Sequence, residues 1–288
     1  MNNVNILLNS FNYIVLSPDI DGLLSYILYK KFINKNAETI GIYNCKTLNI
    51  KEGKFEKEKI LFLDHDVNYF ASFGHHFLIK HLIDDSFFYN PNLIYNTEDF
   101  KDKCPFSTVM LLLSQNSEIK KYFFDSPMSI KALFLYADSF FILWKKYYRW
   151  NCENWLKKVG LQDVLDFIEN NQDKIEEKIL KLQNILINDY HCSSSKKYYA
   201  QSCLEMNRQK LFDFLCNIFK IETENILFEK EVVLKRMNDL VVKKEEMKFY
   251  SNNNKVFSHA RTYAESFNLT VLKEEGGEFE NAFESFVI

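Results

Sequence analysis

Aspartates are the residues whose placement in this chain could do chemistry. Asp19 and Asp21 sit two apart in SPDIDG, just after the apolar run 13–17. If extended backbone continues, both side chains point the same way, and Gly22 then lets the chain turn sharply into the next stretch. Two carboxylates on one side of a loop repel each other unless a cation lies between them, and Mg²⁺ and Mn²⁺ favour such oxygen ligands. An Asp-Gly turn with an aspartate capping a helix is the plainer alternative. Asp64 closes a second apolar run as LFLDHDVN. Alternation sets Asp64 and Asp66 on one face and His65 on the other, unless Asp64 merely starts a loop. Asp138 interrupts ALFLYADSFFILW, where an unpaired buried carboxylate is costly. It needs a metal, a basic partner or a raised pKa, or else a helix break capped by Ser139.

The elements that must position these residues follow from periodicity. Runs 13–17, 39–44 and 60–63 read as strands, 77–83 as a further strand, and 23–33 as a helix. Strands alternating with helices predict a parallel α/β sheet, whose ligands sit at the carboxyl ends of the strands. Three of these strands end in aspartate or shortly before one (Asp19, Asp64 and Asp84). Helical patterns follow over 106–115, 129–149, 151–169, 172–190 and 198–220, with a polar hinge or linker at 191–197. The tail returns to a β-rich pattern, with a strand at 254–258, a helix around 260–267 and a strand at 269–274. The expected organisation is an N-terminal domain over 1–190, then 191–288 as a helical connector plus a small C-terminal α/β domain.

Composition narrows the function classes. A net charge of −3 argues against a uniformly basic nucleic-acid coat, so a polyanion needs a local patch or metal ions. The six cysteines are scattered with no Cys-x-x-Cys pair, which predicts reduced thiols and no structural zinc. No 18-residue apolar run predicts a membrane span, and the N-terminal residues lack a secretory pattern, so the expected compartment is the cytoplasm. KKYYRW (145–150) and KKYY (196–199) could stack on and neutralise single-stranded nucleic acid, or simply form solvated helix faces. No Walker A, Gly-x-Ser-x-Gly or His-Glu-x-x-His motif is present.

The order of these motifs resembles the DHH phosphoesterase superfamily, which includes RecJ-type exonucleases, nanoRNases, cyclic-dinucleotide phosphodiesterases and family II pyrophosphatases. SPDIDGLLS is similar to its first motif, ILFLDHDVN to its second and ADSFF to its fourth. CPFSTVMLLL resembles the helix after the third motif, and GGEFENAFESFVI resembles the glycine-pair segment of the DHH-associated C-terminal domain. The resemblance covers roughly 1–145 and 250–288. It implies two Mn²⁺ or Mg²⁺ ions held by Asp19, Asp21, Asp64, Asp85 and Asp138, with Asp84 supporting them and Asp64, Asp84 and Asp85 at the reacting centre. It also implies substrate contacts from Ser258, Arg261, Gly276 and Gly277.

Departures accompany the likeness. The namesake Asp-His-His is best matched by LIDDS (82–86), with Asp84 for the aspartate and Asp85–Ser86 for the histidines. His75, His76 and His81 lie nearby but off register for the expected strand end. Glu278 stands where the C-terminal motif has histidine. The resemblance thus implies a metal-dependent phosphodiesterase or exonuclease acting on nucleotides or short single-stranded nucleic acid. The alternative is a catalytically degenerate module that binds nucleic acid or a protein partner.

Overall fold

Short runs of β-branched, aliphatic and aromatic residues build the main sheet. The computed structural model describes residues 4, 7–78, 88–193, 198–228, 230–233, 235–237, 256–263 and 266–271. Its strands are β1 (Tyr13–Leu16), β2 (Glu38–Tyr43), β3 (Thr47–Ile50), β4 (Ile60–Leu63), β5 (Ala71–Phe73), β6 (Phe88–Tyr89) and β7 (Lys230–Val233). They form one seven-stranded sheet in the order β6-β5-β4-β1-β2-β3-β7. The first five of these positions run parallel, and β3 and β7 add an antiparallel edge. The protein is therefore mixed α/β with a mostly parallel sheet. β4 is buried at every position, as expected of a parallel strand covered on both faces.

A second sheet contains β8 (Lys235–Met237), β9 (Val256–Tyr263) and β10 (Ser266–Val271), in the order β8-β10-β9. Where a helix is expected around 260–267, the described residues 260–263 and 266–267 belong to strands that pair antiparallel. Cross-strand pairing overrides the local helix tendency of Ala260. Phe77 and Leu78 belong to no strand, and the rest of the strand expected over 77–83 lies outside the described residues.

The principal helices are α1 (Ile20–Phe32), α2 (Thr108–Gln115), α3 (Ser117–Asp125), α4 (Met128–Tyr136), α5 (Arg149–Lys158), α6 (Gln162–Asn170), α7 (Gln172–Asn188) and α8 (Glu205–Phe219). The helix expected over 129–149 breaks after Tyr136, where Asp138 and Ser139 both take left-handed backbone (φ 49° and 61°), and a π-helical turn follows at Leu143–Tyr147. The one expected over 151–169 divides at Gly160 (φ 77°), where Leu161 N–H closes on Leu156 O at 2.8 Å. Glycine at this position has no Cβ to oppose the left-handed turn that ends α5. The helix expected over 198–220 starts only at Glu205, because residues 199–201 bond to other elements through their backbone.

The chain divides into two compact units, neither of them continuous. The helical unit comprises 1–9, 18–35 and 104–225, and the sheet unit comprises 10–17, 36–103 and 226–288. One core of the sheet unit joins Val15, Ile40, Tyr43, Leu48, Ile50, Phe62, Val67, Phe70 and Phe257. The Phe257 ring meets Tyr43 and Phe62 edge-on, with centroids 5.3 and 5.8 Å away. In the helical unit α1 is buried on every face from Ile20 to Tyr29, as befits an internal helix. Among the described residues, no helix is long and apolar enough to cross a membrane.

Candidate functional site

The carboxyl ends of three adjacent parallel strands in the sheet unit carry a connected cluster of aspartate, histidine and asparagine. β4 ends at Leu63 because Asp64 adopts left-handed backbone (φ 66°). Aspartate tolerates that region better than most residues. Asp64 N–H donates to Phe73 O at 2.9 Å, and Gly74 N–H donates to Tyr89 O at 3.1 Å, so each strand end is pinned to the next.

The side chains follow from that adjacency. His75 Nε2 lies 3.4 Å from Asp64 Oδ1, with both side chains largely buried. Asp66 Oδ2 accepts His76 N–H at 3.1 Å and pairs with His76 Nδ1 at 3.0 Å, while Oδ1 accepts Asn90 Nδ2 at 2.9 Å. Asn90 also donates to His76 O, and Asn92 Nδ2 donates to His75 O at 2.8 Å. The two imidazoles stack with centroids 4.7 Å apart. Gly74 is required here because a Cβ would stand 2.4 Å from Asp66 Oδ2. No rotamer shift could accommodate that contact without moving the buried carboxylate.

The electrostatics match the geometry. Burial alone would raise the Asp66 pKa, but the hydrogen bond and charge of His76, the Asn90 bond and the His75 charge outweigh it. The carboxyl is held below its ordinary value. His65 turns the other way. Its Nε2 bonds Tyr43 O at 2.6 Å and its ring packs on Tyr43. Burial first, and the neighbouring His76 second, lower its pKa to about 3, so it is a neutral structural residue.

In the helical unit Asp19 and Asp21 serve backbone groups. Asp19 caps α1, accepting Gly22 N–H at 3.0 Å. Asp21 is fully buried and accepts the Thr108 and Val109 N–H groups at 2.7 and 3.0 Å. It thereby satisfies two donors at the start of α2 that have no partner within the helix. Asp138 is half-buried at the break between α4 and the next helical turn, with its N–H donating to Gln201 Oε1 at 3.2 Å. Ser139 does not cap that turn: its Oγ accepts Tyr199 N–H at 2.9 Å. Ser258 and Arg261 lie on β9. Asp84, Asp85, Gly276 and Gly277 lie outside the described residues.

Sequence reasoning set His75 and His76 aside as off register, and the structure puts them directly after β5. β5 has three residues and β6 two, too few to show any period. The available signal was Gly74-His75-His76 itself, in a chain with seven glycines and six histidines. No protein-family model, curated protein or solved structure matches this chain.

Proposed function

We propose that this protein is a Mn²⁺- or Mg²⁺-dependent phosphodiesterase acting on nucleotides or short single-stranded nucleic acid. The observation that supports this reading is the meeting of Asp64 and His75 at neighbouring strand ends, 3.4 Å apart and buried. Two donor atoms on one cation, each about 2.0–2.3 Å from it, are commonly separated by about 3 Å. The residues therefore fit a divalent ion, and an imidazole among carboxylates suits Mn²⁺. Asp64 and His75 would hold it, with the sequence resemblance adding Asp19, Asp21, Asp85 and Asp138 as further ligands and Asp84 as support.

Bound divalent ions would lower the pKa of a water and neutralise charge at phosphorus. The protein's own contribution is orientation. Asp66 Oδ2 pairs with His76 Nδ1 and so fixes the proton there, leaving the imidazole's other nitrogen in a defined direction. Ser258, Arg261, Gly276 and Gly277 remain the candidates for gripping a substrate phosphate.

A second reading is a non-catalytic module that binds nucleic acid or a protein partner. Asp66 favours it, since both of its oxygens are used inside the fold.

Asp64→Asn separates the two. In the enzyme, millimolar Mn²⁺ should raise the wild-type melting temperature and leave the variant unchanged. Hydrolysis of a short oligonucleotide should fall at least ~10²-fold, equivalent to ~2.7 kcal/mol of transition-state stabilisation. Wild type that gains nothing from Mn²⁺, together with a variant that melts higher, would overturn the enzyme reading.

A further inference from the structure

Two cysteines of the helical unit occupy facing register positions beside an isolated antiparallel bridge. Ser193 and Ser202 form an isolated antiparallel bridge, with Ser193 N–H donating to Ser202 O at 2.8 Å. Cys192 and Cys203 are the next pair outward from that bridge. In antiparallel geometry the position beside a hydrogen-bonded pair brings Cα atoms to about 4.5 Å, within the ~4.4–6.8 Å that disulfides span. Each thiol shifts the other, raising the Cys192 pKa and lowering that of Cys203. Cys192 is buried and anchored by its N–H to Leu186 O at 2.9 Å, whereas Cys203 is half-buried.

The surroundings distinguish Cys203 from the other thiols. It immediately precedes Leu204, the N-cap of α8, where the helix dipole favours negative charge. Arg208, one turn into that helix, is buried, and its Nε has no hydrogen-bond partner. Its ion-pair partner is the exposed Glu205, 3.8 Å away. A buried guanidinium with so loose a partner is an incentive for a thiolate nearby. The neighbouring Cys192 thiol, against opposing burial, and then the Arg208 charge lower the Cys203 pKa. Burial pushes Cys216 up to about 12 and raises Cys152 as well.

We infer that Cys203 is a peroxide-reactive thiolate and Cys192 its resolving partner, closing a reversible disulfide next to the start of α8. The Cys203 sulfur attacks the O–O bond of a hydroperoxide, giving a sulfenic acid and, after protonation, an alcohol. The Cys192 sulfur then attacks Cys203, the S–O bond breaks, and hydroxide leaves with the Cys192 proton as water. The two thiols together lose two electrons and two protons, and the peroxide gains them. The disulfide would tether residues 199–202, which brace the Asp138–Ser139 break and accept Ile20 N–H at Gln201 O (2.9 Å). Oxidation would thus act on the segment that supports Asp19 and Asp138, whatever those residues do.

The test uses the full chain treated with hydrogen peroxide, alkylated and digested without reduction. Mass spectrometry should find a 192–203 disulfide peptide about 2 Da below the dithiol form. Cys203 should oxidise at least about tenfold faster than the half-buried Cys45. In Cys192→Ser the reaction should stop at a sulfenic acid that dimedone traps on Cys203. Arg208→Gln should slow oxidation and Arg208→Lys should restore part of the rate. Because an Arg208 variant can fail to fold, the wild-type pH profile of Cys203 alkylation serves as a second measurement, with a midpoint below that of Cys45. Equal oxidation rates at Cys203 and Cys45, or dimedone labelling of Cys203 as complete in wild type as in Cys192→Ser, would overturn the inference.

Discussion

The turn after β4 and the break after α4 each bend the chain at an aspartate in the left-handed region, Asp64 at φ 66° and Asp138 at φ 49°. Left-handed backbone costs an L-residue roughly 1–2 kcal/mol, so the surroundings must hold it. After β4 the holding groups are side chains: Asp64 pairs with His75, and Asp66 with His76 and Asn90. After α4, the contacts described for Asp138 and Ser139 run from the Asp138 N–H and the Ser139 hydroxyl to Gln201 and Tyr199. One bend organises charge, and the other satisfies polar groups that the broken helix exposes. Similar backbone strain therefore does not mark similar function. The carboxylate network separates the two.

Filling the space beside Asp66 should have the largest effect on this contrast. Gly74→Ala places a Cβ 2.4 Å from Asp66 Oδ2 and should cost about 3 kcal/mol in urea unfolding. With Asp66→Ala already present, the same change should cost about 1 kcal/mol or less, because the opposing atoms are gone. Equal costs in both backgrounds would mean that the carboxylate is not what requires glycine.

Next come two pH windows. Asp66 has a folded pKa below its unfolded 3.8, so between those values the unfolded chain binds more protons. The stability from Asp66 is complete above about pH 3.8 and is lost as pH falls through the lower folded value. Asp66→Asn should remove that acid transition. His65 shifts from 6.5 to about 3 on folding, so its contribution is complete above about pH 6.5 and is lost as pH falls towards 3. The slope is up to about 1.4 kcal/mol per pH unit. His65→Gln keeps an N–H for Tyr43 O and should flatten only this higher window. Melting temperatures of both variants between pH 3 and 7 separate the two residues, and a wild-type profile flat from pH 6.5 to 4 would contradict the buried neutral His65.

The smallest effect belongs to the helical unit. Asp138→Gly relaxes the left-handed position and, without metal, should change stability by no more than about 1 kcal/mol, on the favourable side. Asp64→Gly relaxes the same kind of position but loses the His75 pair, so it should melt lower than wild type. A loss at Asp138 as large as that at Asp64 would erase the distinction between the bends.

Local pattern carried part of this structure. Runs 13–17, 39–44 and 60–63 were readable as strands from their continuous apolar character, and 23–33 as a helix from its apolar spacing, although the helix starts three residues earlier. The alternation expected of Asp64, His65 and Asp66 does not apply, because Asp64 leaves the strand conformation that it assumes. Asp138 was visible as an anomaly in an apolar run, and the helix does break there. Illegible were β5 and β6, too short for a pattern, and the extension of β9 and β10 into 260–263 and 266–267: the strands expected at 254–258 and 269–274 overlap them, but their full length exists only through pairing.

The amino-acid order alone determined the alternation of early strands and helices, and which carboxylates fall at strand ends. Both follow from backbone periodicity and apolar spacing over a few residues. Only the tertiary structure decided that Asp64 meets His75 and that Asp66 takes the space of a side chain at Gly74. Those partners sit 11 and 8 or more residues apart on separate strand ends, and only strand adjacency in the sheet brings them together. The same holds for Cys192 and Cys203, scattered in sequence and paired by one antiparallel bridge.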